Sequence, residues 1–74
     1  MMAPRVCRLR SSTFAILNER DQRTVVTLPA NALVTVVVGD VDGDGLVKIR
    51  YRQKVFEMLA IDLRSRGERI LRSA

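Results

Sequence analysis

Apolar residues in this chain come in short runs, and each run stops at polar or turn-forming residues. The strictest pattern is Val47-Lys48-Ile49-Arg50-Tyr51-Arg52, where apolar and basic residues alternate at every step. A period of two places Val47, Ile49 and Tyr51 on one face and Lys48, Arg50 and Arg52 on the other, as in a half-buried strand. Leu33 to Val38 precedes it, with Val34, Val36 and Val38 expected on one face. Thr24 to Leu28 is rich in β-branched residues and stops at Pro29-Ala30-Asn31. Proline presets a turn there, and asparagine tolerates the left-handed conformation. Phe14 to Leu17 is a further run that ends in a polar loop, Asn18-Glu19-Arg20-Asp21, and Arg5 to Arg10 alternates weakly around Val6 and Leu9. Closely spaced short strands of this kind predict an all-β barrel or sandwich.

Reading Arg52-Gln53 as a two-residue turn pairs Ile49 with Phe56, Val47 with Met58 and Lys48 with Glu57. Both strands then turn apolar residues to one face, and an opposite-charge pair forms on the other. Arg-Gln is a poor pair for a type I′ turn, in which both central residues need positive φ. A competing reading takes Ile49 to Arg66 as one amphipathic helix, with Ile49, Phe56, Leu59, Ala60 and Leu63 near a 3.6-residue period. The strict alternation through Tyr51 favours the strand. That leaves one short helical turn near the C-terminus, with Asp62 as its N-cap and Gly67 as its stop. The expected domain spans the whole chain, with a core at about 5–67 and an edge strand or tail over 68–74.

The length of 74 residues allows one domain, and a chain this short buries only about 60–65% of its unfolded surface. Oligomerisation is one way to supplement so small a core. Apolar residues are 47% of the chain, with no Trp, one Tyr and two Phe, so aliphatic side chains must fill the interior. Cys7 is the single cysteine, which excludes an internal disulfide and suits a reducing compartment. It is expected to be a small strand residue. No apolar stretch approaches the ~18–20 residues of a membrane helix, and the first residues lack the apolar region of an export signal. A cytoplasmic protein without a membrane role is the expectation. There is no histidine, which removes the commonest zinc ligand and general base. Ser11, Ser12 and Thr13 therefore lack the partner of a hydrolytic nucleophile. Neither an enzyme, a cofactor nor a small-molecule substrate is expected, unless residues of several subunits converge.

Gly39 to Tyr51, GDVDGDGLVKIRY, contains the opening of an EF-hand calcium loop. Such a loop needs oxygen ligands at positions 1, 3 and 5, glycine at 6 and a bidentate carboxylate at 12. Asp40, Asp42, Asp44 and Gly45 fit, but position 12 is Tyr51, position 9 is Lys48, and a strand precedes the loop. The three aspartates are at most weak calcium candidates. Asp42-Gly43 and Asp44-Gly45 instead suit a hairpin tip with type I′ geometry.

The net charge of +5 is unevenly distributed. Basic surface favours anionic partners. Lys48, Arg50 and Arg52 on one strand face, with Lys54 near and Arg64, Arg66, Arg69 and Arg72 adding charge, offer phosphate contacts. No aromatic residue is clearly interleaved with these bases, as single-strand binders require.

The order of these segments resembles that of bacterial SH3-like domains from about Leu17 to Leu63. Leu17-Asn18-Glu19-Arg20 is similar to the family's L-N-x-R start, and Val25 to Asn31 to its V-V-x-x-L-P-x-G segment, with Asn31 in place of glycine. Val34-Thr35-Val36 resembles its V-x-V strand, Lys48-Ile49-Arg50-Tyr51 its K-V-x-Y strand, and Arg52-Gln53-Lys54 its N-G-K hairpin. The usual tryptophan near Leu46 and the Gly-Trp pair at Phe56-Glu57 are missing, and with them the aromatic lining used by members that bind cell-wall peptides. Met58 to Glu68 is also similar to the ending of small, uncharacterised bacterial proteins. The resemblance implies a small barrel of five to six strands. The expected function is binding of a protein or peptide, or self-association as a homo-oligomer, with nucleic-acid binding as the alternative. Candidate contacts are Lys48, Arg50, Arg52, Lys54, Tyr51, Arg20 and Arg23.

Overall fold

The computed structural model describes residues 5–69. Seven strands and one helix follow in order among them: β1 (Arg5–Leu9), β2 (Thr13–Glu19), β3 (Gln22–Leu28), β4 (Leu33–Val38), β5 (Leu46–Tyr51), β6 (Lys54–Leu59), α1 (Ala60–Arg66) and β7 (Gly67–Arg69). They form one antiparallel sheet in the order β3-β2-β6-β5-β4-β1-β7, which is not closed by a β3–β7 pairing. Seven strands exceed the five to six expected of the barrel, but β7 stands where an edge strand was expected from residue 68, beginning one residue earlier, and pairs with β1.

The β5–β6 register is the expected one: Ile49 opposes Phe56, Val47 opposes Met58 and Lys48 opposes Glu57. Arg52 and Gln53 both have positive φ, 51° and 67°, so this unfavourable pair does adopt the left-handed turn. The segment Asn18 to Asp21 is tighter than expected. Strand β2 runs to Glu19, and Arg20-Asp21, at φ 49° and 62°, make a second turn of the same kind. Asn31, at φ 71°, takes the left-handed role anticipated for it.

Other expectations fail for local reasons. The aspartate-glycine segment is not a type I′ tip, because the positive-φ glycine in this region is Gly39, at 112°. Asp40 closes a turn instead: its carbonyl accepts from Gly43 N–H at 3.0 Å and its Oδ1 accepts from Asp42 N–H at 3.0 Å. A bulge between Val36 and Val38 breaks the expected Val34-Val36-Val38 face. Val34 stays buried while Val38 turns out beside Lys48. In β1 the inward residues are Cys7 and Leu9, with Val6 on the other face. The helix is short and near the C-terminus, as expected, and the competing long helix from Ile49 is not the one adopted: α1 begins at Ala60, directly after β6. Asp62 lies in its first turn, and the N-cap position is Leu59, without a side-chain capping bond. Gly67 does end the helix, in extended backbone; a Cβ there would sit 2.7 Å from the Leu63 carbonyl oxygen.

The inner face of the sheet curls around Cys7, Leu9, Ala15, Leu28, Val34, Val47, Ile49, Phe56 and Met58. Helix α1 covers it with Ala60 and Leu63, and Val41 joins from the loop. A seven-residue helix is marginal alone, so burial of Leu63, worth ~1.5–3 kcal/mol, must hold it. Arg64 secures the other side, donating from Nη1 to the carbonyls of Val41 at 2.8 Å and Gly43 at 2.6 Å.

Candidate functional site

Strand alternation decides which side chains reach the outer face. On β5 these are Leu46, Lys48 and Arg50; on β6 Val55, Glu57 and Leu59; on β2 Phe14, Ile16 and Asn18; on β3 Arg23, Val25 and Thr27. The two kinds of residue segregate along the strands. Near the Arg20-Asp21 and Arg52-Gln53 turns the face is charged. Toward the other end of β2 and β6 it is apolar.

The basic candidates do not form one row. Lys48 and Arg50 are exposed on the outer face, with no ion pair or side-chain hydrogen bond among the described residues. Arg52 lies in the turn, its guanidinium carbon 5.4 Å from the centroid of the Tyr51 ring. Tyr51 belongs to the inner side, half-buried and tilted at 51° against Phe56 with centroids 6.4 Å apart. The expected common face of Lys48, Arg50 and Arg52 thus loses Arg52, because a turn residue leaves the strand's pleat.

Lys54, Arg23, Arg64 and Arg66 are engaged. Lys54 Nζ lies 3.6 Å from Glu19, which ties the two turns together, and Arg23 lies 4.0 Å from Glu57. Glu57 also accepts from Asn18, so it leans toward β2 and β3 and does not close the expected pair with Lys48. Arg64 holds the Asp40–Gly45 loop, and Arg66 donates to the Ser12 carbonyl. Arg72 and the side chain of Arg69 lie outside the described residues. Arg20 sits exposed at its turn, beside Asp21. Asp40, Asp42 and Asp44 lie before β5, at the opposite end of that strand from Arg52. Among the described residues no three metal-ligating side chains are placed to hold an ion.

The apolar end of the face was not anticipated. The β2–β6 ladder is short, pairing only at Ile16–Glu57 and Leu17–Phe56, and it stops before Phe14 and Leu59. A groove of about 210 Å³ opens there, lined by Phe14, Ile16, Val25, Leu46, Leu59 and, at its rim, Asp62. Phe14 is 68% exposed and Val25 67%, and Leu46 and Leu59 are also exposed. The sequence signal was Phe14-Ala15: if small Ala15 faces the core, large Phe14 must face out. Sites for small molecules usually measure ~300–1,000 Å³, so this groove suits one or two side chains of a larger partner.

No described helix is long and apolar enough to cross a membrane. Compared with protein-family models, curated proteins and solved structures, the chain matches none.

Proposed function

We propose that this chain is a non-enzymatic binding or assembly module, a small SH3-like barrel whose outer face meets a protein or peptide partner or another copy. The observation that carries the reading is the apolar groove between Phe14, Val25, Leu46 and Leu59. Large apolar side chains that gather on one exposed face, and are not scattered singly, mark interaction surfaces. The curl of the sheet supports the barrel. Arg10 N–H donates to the Arg66 carbonyl at 2.7 Å and Arg66 to the Ser12 carbonyl at 3.2 Å, which draws the β1–β2 corner toward α1.

A second reading, nucleic-acid binding, is favoured by one observation: Lys48 and Arg50 are exposed cations without a protein partner among the described residues. Amide-resolved NMR separates the two. Peptides selected from a random display library, or a rise in protein concentration, should move the signals of Phe14, Val25, Leu46 and Leu59. A single-stranded oligonucleotide that shifts Lys48, Arg50 and Arg52, with an effect that fades in salt, would favour the second reading. Silence in the groove under all these conditions would overturn the first.

A further inference from the structure

The two edges of the sheet differ. Strand β7 is three residues long and its Glu68 is tied to Arg8, which is a blunted edge. Strand β3, at the other edge, is seven residues with the sequence QRTVVTL, carrying neither proline nor lysine. Nothing among the described residues pairs with its free side.

Resting on the binding-module reading, we propose that this edge pairs with the β3 edge of a second copy, antiparallel, about a two-fold axis through Val25. The turn between β2 and β3 determines which backbone groups are available. Arg20 and Asp21 both have positive φ, so the turn closes with a hydrogen-bonded pair at Glu19–Gln22. Hydrogen-bonded and non-bonded pairs then alternate up the ladder. Arg23, Val25 and Thr27 fall at the non-bonded positions, opposite Asn18, Ile16 and Phe14. Their N–H and C=O groups therefore point to the open edge.

A self-pairing that keeps the two outer faces together must match residues of equal parity. Centred on Val25, it opposes Val25 with Val25, and Arg23 with Thr27 in both directions. All three outward residues of each copy are used, giving about six backbone hydrogen bonds, two for each opposed pair. A centre at Thr24 sets Thr27 against Asp21, which lies in the turn. A centre at Val26 sets Arg23 against Pro29, which has no N–H. Only the Val25 centre satisfies the edge.

Charge agrees with this register. The chain carries +5, yet each Arg23 faces a threonine, and the two Arg23 residues are four positions apart along the strand direction, about 14 Å. That exceeds the ~8 Å screening length at physiological salt. The outer faces then join Phe14, Ile16 and Val25 of both copies into one apolar surface across the axis.

Two measurements on the full chain test the register. In a Cys7→Ser background, Val25→Cys should form a disulfide dimer under mild oxidation, whereas Thr24→Cys, which faces Val26 of the second copy, should not. In sedimentation, Thr27→Pro removes an outward donor outside the groove and should weaken self-association about tenfold or more. Equal cross-linking of Thr24→Cys and Val25→Cys, or an unweakened Thr27→Pro dimer, would overturn the register. A parent protein monomeric at millimolar concentration would overturn the pairing itself. If that monomer still takes selected peptides in its groove, the binding-module reading stands; if groove and edge are both silent, both fall.

Discussion

The two turns with positive φ offer the sharpest stability test. Arg52 and Gln53 sit at φ 51° and 67°, where a residue with a Cβ is disfavoured by roughly 1–2 kcal/mol. Replacing them together, Arg52→Asn with Gln53→Gly, supplies the pair that such turns prefer. The relief is about 2 kcal/mol, since glycine escapes the penalty and asparagine part of it. Two losses oppose it. Glycine adds unfolded-state entropy of roughly 0.5–1 kcal/mol. The exposed contact of Arg52 with the Tyr51 ring, worth about 0.5 kcal/mol, disappears. A net gain of about 0.5–1 kcal/mol remains.

Urea unfolding followed by circular dichroism reads this directly. With a slope near ~1 kcal/mol per molar for so small a domain, the midpoint should rise by about 0.5–1 M. The parallel change at the other turn, Arg20→Asn with Asp21→Gly, sacrifices no ring contact but starts from an aspartate that already tolerates the left-handed region, so it should gain about as much, roughly 0.5–1 kcal/mol. A midpoint that stayed put or fell in both variants would refute the strained-turn argument, and with it the assignment of outward backbone groups on β3.

Two further outcomes follow from close contacts. Gly39→Ala places a Cβ 2.9 Å from Val47 Cγ1 at φ 112°, and should destabilise by about 2–3 kcal/mol in the same urea assay; an unchanged midpoint would contradict the bulged geometry. Arg64→Ala frees the carbonyls of Val41 and Gly43, with a loss of roughly 1 kcal/mol, and should speed amide exchange over residues 41–45 while β5 and β6 stay protected. Uniform acceleration across the sheet would mean that the arginine braces the whole fold and not the loop.

What this sequence determined by itself was local. The alternation from Val47 to Met58 was sufficient for strand identity, face and register of the central hairpin, because a pleated strand exposes every second residue whatever surrounds it. Pro29 to Asn31 was legible for the same reason: the φ preferences that make a turn belong to the residues themselves. The SH3-like resemblance followed the order of such segments and remains a proposal.

The tertiary structure decided what depends on partners distant in the chain. The bulge that turns Val38 outward, the short β2–β6 ladder and the position of β3 at an edge all come from how one continuous sheet curls around a small aliphatic core. Turn chemistry was overridden in the same way. Arg20-Asp21 and Arg52-Gln53 take the left-handed conformation because the paired strands on both sides demand a two-residue reversal, while the better-suited aspartate-glycine pairs are held by Asp40 and Arg64. A strand ladder of many bonds outweighs the ~1–2 kcal/mol preference of a turn residue, so local propensity yields wherever the two compete.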